Sequence, residues 1–182
     1  DQIDIVKISP EKPKPTSLPK YDRPVTIEVW YPALADSQGN TILNVYARDA
    51  NDTVALIGKA VRDAQPLQEQ TSFPLVIISH GYPGNRYLMA HLAENLAAKG
   101  YVVASIDHQD STYSTLAAFA STLVNRPLDQ TFVLNTIEDL NNDSESFLHN
   151  IVDTQNTALI GYSMGGYGAI IMAGAGLSKD MV

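Results

Sequence analysis

Hydrophobic positions change their rhythm along this chain. From Val25 to Tyr31, β-branched and aromatic residues alternate with polar ones. That is the two-residue period of a strand with one wetter face, and Pro32 ends it. Ahead of it, Ser9–Lys20 holds four prolines and three lysines. Proline brings no N–H to a sheet ladder, so residues 1–24 are predicted as an irregular surface segment. Residues 36–72 are polar and mixed, and read as a surface excursion with a short helix around Val54–Ala64. From Phe73 the rhythm becomes regular. Leu75–Ser79 is apolar without alternation, the pattern of a strand covered on both faces. A Gly/Pro turn follows at His80–Gly84, then helical spacing from Tyr87 to Lys99 with Gly100 as the stop. Tyr101–Ile106 is the next buried strand. Residues 110–135 read as a loop with a short helix, and Thr131–Leu140 with Glu145–Ile151 as one broken helix. Thr157–Gly161 is a third apolar strand with a helix starting just after Ser163. Buried strands alternating with helices predict an α/β fold with a doubly wound, mainly parallel sheet.

Composition narrows the function classes. With 45% hydrophobic and 18% charged residues over 182 positions, the chain is globular and of one-domain size. No apolar run reaches the roughly 20 residues of a transmembrane segment. The acidic start Asp1-Gln2-Ile3-Asp4 lacks the apolar core of a signal peptide. A formal charge of −8 argues against nucleic acid as a partner. The absence of cysteine removes disulfides, thiol nucleophiles and thiolate metal sites together. A secreted or periplasmic location is favoured over a cytoplasmic one.

The strongest chemical signal is Gly161-Tyr162-Ser163-Met164-Gly165-Gly166, a G-x-S-x-G pattern between an apolar strand and a helix of small residues. In that context it reads as a nucleophile elbow, with Ser163 as the nucleophile. The second signal is His80-Gly81-Tyr82-Pro83-Gly84 after an earlier strand. Acyl transfer needs two donors aimed at the developing oxyanion. The expected pair is the backbone N–H groups of Met164 and Tyr82, since Pro83 has none.

Three segments together resemble the platelet-activating-factor acetylhydrolase family, close to the dienelactone-hydrolase-like enzymes among the α/β-hydrolases. They are His80–Arg86, Leu96–Ala104 and Asp107–Ser111. Tyr21-Asp22-Arg23-Pro24, Glu28–Pro32 and Asn125-Arg126-Pro127-Leu128-Asp129 are similar to its bacterial members. The resemblance implies an α/β-hydrolase sheet and hydrolysis of short acyl esters, a small-molecule substrate, without metal or cofactor. Tyr162 stands where many relatives have His.

Other residues have two readings each. His108, between Asp107 and Asp110, invites a triad or metal reading, and otherwise either lines a pocket or fixes a loop. Arg86 and Arg126 either hold an anionic substrate group or tie loops together. His91, His149, Asp153, Trp30 and Tyr31 read as structural or surface residues, and the sequons at Asn51 and Asn142 are weak. The triad of this fold runs Ser, then Asp or Glu, then His. All four histidines precede Ser163, and Asp180 is the only acid after it. The expectation is therefore the N-terminal portion of a single α/β-hydrolase domain, its C-terminal strands and helices absent from residues 1–182. The remainder, as a second chain or cleaved segment, would pair beside strand 157–161 and bring the acid and base. Two alternatives stay open: a non-catalytic binding module, or a serine peptidase or amidase on the same fold.

Overall fold

A computed structural model describes residues 2–3, 20–48, 51–68, 72–116 and 119–175. Gln2–Ile3 (β1) and Lys20–Tyr21 (β2) form a short antiparallel ladder, so both ends of the segment expected to be irregular are paired. The proline-rich stretch between them lies outside the described residues, as does Asp180. Thr26–Trp30 (β3) follows as predicted. Ile42–Tyr46 (β4) and Thr53–Ile57 (β5) pair as a hairpin, where a short helix from Val54 was expected. The alternation in β4 buries Leu43 and Val45 and exposes Ile42, Asn44 and Tyr46, a period of two that a helix could not use.

The main sheet joins β3, Phe73–Ser79 (β6), Val102–Asp107 (β7) and Val152–Gly161 (β8) in the order β3–β7–β6–β8. The β6 pairings with β7 and β8 are parallel, and β3 runs antiparallel to β7. The absence of alternation in β6 has a direct cause. Leu75 and Ile77 face Val133 and Ile137 of the helix Phe119–Asn142, while Val76 and Ile78 face Ala93 and Ala97 of the helix Ala90–Ala97. All four β6 side chains are 0–3% exposed. Each such burial is worth roughly 1.5–3 kcal/mol, which makes this strand the spine of the core. Helices α1 (Ala90–Ala97) and α2 (Phe119–Asn142) thus cover opposite faces of the sheet. Among the described residues β8 pairs with β6 alone, and beyond Val152 its residues are exposed or half-buried.

α2 is one helix of 24 residues, where a loop and a broken helix were expected. Its first half buries Ser121, Thr122, Asn125, Arg126, Asp129 and Gln130, and only its second half buries Val133 and Ile137. A stripe that begins polar and ends apolar leaves no hydrophobic period to read. Pro127 lies inside the helix and cannot donate to the Leu123 carbonyl. Tyr167 Oη supplies the missing donor at 3.1 Å, which ties α2 to the next helix, Met164–Ile170 (α3). A π turn, Ile171–Ala175, extends α3. Residues 145–151, expected as helix, are turns and bends. No helix among the described residues is long and apolar enough to cross a membrane.

Candidate active site

Ser163 sits on the turn from β8 into α3 with φ 54° and ψ −118°, a positive φ that few non-glycine residues adopt. The turn is this tight because glycines let backbones touch. A Cβ on Gly161 would collide with the backbone of Gly165 and Gly166, and one on Gly165 with the carbonyls of Ser79 and His80. Tyr162 N–H donates to Ser79 O at 3.0 Å and binds the turn to the end of β6. Gly165, Gly166 and Tyr167 donate to the carbonyls of Tyr162 and Ser163, closing the first helical turn. Met164 N–H comes ahead of them, at a helix start where no intrahelical acceptor exists. Ser163 itself is exposed. Among the described residues no histidine or carboxylate hydrogen-bonds its hydroxyl.

Gly81 approaches the same turn. A Cβ built on it would lie 3.3 Å from Ser163 Cβ and 3.3 Å from Tyr162 Cδ1. Tyr82, the next residue, packs edge-on against Phe119 with ring centroids 5.1 Å apart. The loop after β6 and the turn after β8 therefore converge at Gly81 and Ser163, whose chain neighbours are Tyr82 and Met164.

Behind them lies a buried polar network. Ser79 Oγ is 2.8 Å from His108 Nε2, and His108 Nδ1 is 2.8 Å from Asp129 Oδ2. Arg23 donates to both oxygens of Asp129 at 2.9 Å and lies 3.2 Å from Asp110 Oδ1. Arg126, also fully buried, donates through Nε to Thr122 Oγ1 at 3.0 Å and through NH2 to Ser111 Oγ at 2.5 Å. The arrangement of Ser79, His108 and Asp129 has the order of a charge relay, yet each is at most 1% exposed. No ester can reach it, so it is a fastening between β6, β7 and α2. His108 is 0% exposed and its ring is engaged on both nitrogens, contacts of the kind expected of a residue that fixes a loop. Arg126 ties loops together in the same way.

Arg86 is paired with Asp107 and lies 3.6 Å from Glu28 Oε2, so its charge is balanced within the protein. It borders a cleft of about 210 Å³ with Tyr87, Asp107, Thr112 and Tyr113. Two larger hollows, about 510 and 540 Å³, lie around Trp30 and Ala60, and no residue of the Ser163 turn or the His80 loop lines them. His91 and Asn150 are exposed, and His149 bonds the Asn150 amide at 2.8 Å. Asp153 accepts from Gln155 and Asn156 N–H and Asn156 Nδ2, ordering a turn at the start of β8.

Sequence reasoning passed over Ser79, Asp129, Arg23 and Asp110. A signal for Arg23 and Asp129 was present in the segments Tyr21–Pro24 and Asn125–Asp129, each a charged residue near proline, but nothing local says that they meet each other or Ser79 and Asp110.

The network assigns the protons of both histidines. His108 N–H donates to His80 Nε2 at 3.2 Å, so the His80 proton is on Nδ1, which donates to Gly81 O at 2.6 Å. His108 carries its proton on Nδ1 toward Asp129 and accepts from Ser79 at Nε2. Both rings are neutral. Burial above all holds them well below the ordinary imidazole value, with His108 and Arg126 adding to the effect on His80 and Arg126 to that on His108. Their contribution to stability is therefore intact above about pH 6.5 and is lost as pH falls below it, because the unfolded chain takes up protons there and the folded one does not. Burial pushes Asp129 upward against the pull of Arg23, an effect of opposite sign. Both histidines act in the same sense, so stability is expected to fall steadily as pH drops below about 6.5. Urea unfolding of the complete protein from pH 7.5 to 5 is expected to show it, and a flat profile would contradict the assignment.

A mainly parallel sheet with helices on both faces, and a serine turned out between a strand and a helix, define the α/β-hydrolase class of fold. The chain belongs to the platelet-activating factor acetylhydrolase, isoform II family, whose model matches residues 19–146. It is also similar to cutinase 2 of Thermobifida cellulosilytica, 31% identical over 107 residues, which are 58% of this chain and 36% of that protein. Cutinase cut1 of Thermobifida fusca is 31% identical over 107 residues, 58% of this chain and 30% of that protein. The chain thus spans about a third of the length of these curated relatives. A ferulic acid esterase from Streptomyces cinnamoneus shares the fold, with a TM-score of 0.59 at 23% identity, covering 82% of this chain and 47% of that one.

Proposed function

We propose that this chain carries the nucleophile of a serine carboxylic-ester hydrolase. The observation that supports it best is Ser163 itself: exposed, held at positive φ, on a turn that admits only glycine at 161 and 165. A residue in so rare a conformation costs of order 1–3 kcal/mol, and such strain gathers where geometry serves chemistry. Ser163 Oγ attacks the ester carbonyl carbon and gives its proton to a base. The oxyanion that forms accepts from Met164 N–H and Tyr82 N–H, the first at the positive end of α3. The C–O bond then breaks, the alcohol takes the proton and leaves, and water repeats the sequence on the acyl-enzyme.

The base and its orienting acid come, in this reading, from a segment outside residues 1–182 that runs beside β8. The order Ser, acid, His along the chain favours this, as does the length of the relatives. The substrate class is short acyl esters with a variable alcohol; the cutinase and ferulic acid esterase relatives agree with ester rather than amide chemistry. No metal or cofactor enters the reaction.

The test is labelling of the complete protein with a fluorophosphonate, followed by peptide mass mapping and a substrate panel. The adduct is expected on the peptide bearing Ser163, with p-nitrophenyl acetate and butyrate turned over. Preference for anilides would make it an amidase, and preference for long-chain triglycerides would refute the short-acyl assignment. Absence of any adduct would point to a binding module.

A further inference from the structure

The Gly81–Tyr82 peptide is gripped by its carbonyl. Gly81 O accepts from His80 Nδ1 at 2.6 Å and from Arg126 NH2 at 3.4 Å, and Arg126 NH1 donates to the preceding carbonyl, His80 O. In a trans peptide the C=O and N–H point in opposite directions, so an anchored Gly81 O also fixes the heading of Tyr82 N–H. We propose that Arg126 and His80 are positioning residues that hold Tyr82 N–H in the direction of an ester carbonyl at Ser163. This inference rests on the reading of Ser163 as the nucleophile.

The geometry around the two side chains supports it. Arg126 NH1 also reaches Ser79 Oγ at 3.3 Å, and Thr122 and Ser111 hold the rest of the guanidinium, so its plane has little freedom. The five donors of a guanidinium lie in one rigid fork, which a lysine ammonium cannot reproduce. Burial brings Arg126 down to about 10, against Asp110 and Asp129, so it is still a cation at neutral pH. Its direct partners are carbonyls and hydroxyls. An apolar side chain of similar volume would fill the space without the desolvation cost, but could not hold two successive carbonyls. The ring of His80 is fixed as well, because His108 N–H occupies Nε2 and the absence of a side chain at Gly84 makes room for it. A Cβ at Gly84 would lie 2.7 Å from His80 Nδ1.

Arg126→Lys, Arg126→Met and His80→Gln in the complete protein test the proposal. A displaced oxyanion donor lowers kcat and leaves substrate binding alone; the expected loss in kcat is about 10- to 100-fold, below the full loss of a donor. KM for p-nitrophenyl butyrate is expected to stay within about two-fold. Inhibition by phenylboronic acid, whose serine adduct is tetrahedral, is expected to weaken in proportion to kcat across the set. A merely structural role would move the melting temperature without that proportionality. Where an Arg126 variant does not fold, His80→Gln and Ser111→Ala, which removes one Arg126 anchor, decide the matter. Folded variants with unchanged kcat, or with KM raised and kcat intact, overturn the proposal. Ester turnover retained by Ser163→Ala would instead overturn the reading beneath it.

Discussion

Ser163→Ala in the complete protein is expected to lower ester turnover by roughly 10⁴- to 10⁶-fold, the range over which loss of a catalytic triad member acts. Folding is expected to survive. Alanine meets the same backbone penalty as serine at φ 54°, and no hydrogen bond to the Ser163 hydroxyl holds the described turn together. Ser163→Gly makes the expectation sharper. Glycine adopts positive φ without penalty, so this variant is expected to gain about 1 kcal/mol in stability while remaining as inactive as the alanine variant. Gain in stability joined to loss of activity is the mark of strain kept for function. Turnover by p-nitrophenyl butyrate hydrolysis and unfolding by urea measure the two effects separately. Ser163→Ala with substantial turnover would end the assignment.

The second large effect is expected at Gly81→Val, a loss in kcat of about 10- to 10³-fold, the range for losing an oxyanion donor. The reason is contact rather than conformation. A Cβ there already lies 3.3 Å from Ser163 Cβ and from Tyr162 Cδ1, and the two γ-methyl groups of valine have no room between them. The loop must retreat, and Tyr82 N–H retreats with it. Tyr82→Phe serves as the control. It keeps the backbone and the ring against Phe119, so its effect on kcat is expected to be much smaller. If Gly81→Val hydrolyses esters at the original rate, some other loop supplies the donor.

Seen together, these variants divide the site into parts with different origins. The turn at Ser163 is a local object, built from a strand, three glycines and a helix start within about a dozen residues. The loop at His80–Gly84 is nearly as local, yet its position depends on Arg126, more than forty residues later, and through His108 and Asp129 on Arg23 as well. On the proposal above, a change at Arg126 or Arg23 is expected to act on the site without touching substrate.

The pattern of residues by itself determined the central strands and the serine turn, because burial on both faces leaves an unbroken apolar run and a tight backbone crossing leaves glycine. β6, β7 and the serine turn were legible for those reasons, whereas the end of β8, equally apolar, is exposed or half-buried among the described residues. The hairpin β4–β5 was missed because Val54-Ala55-Leu56-Ile57 has no period that separates strand from helix; only pairing with the alternating Ile42–Tyr46 decides it. The length of α2 was missed because its first half buries charge and hydroxyl groups rather than hydrocarbon. What those groups face is settled only when β2, β6 and β7 bring Arg23, Ser79 and His108 to them. A buried ion network has no one-dimensional signature: each member looks like a surface residue until its partners, distant in sequence, remove it from water.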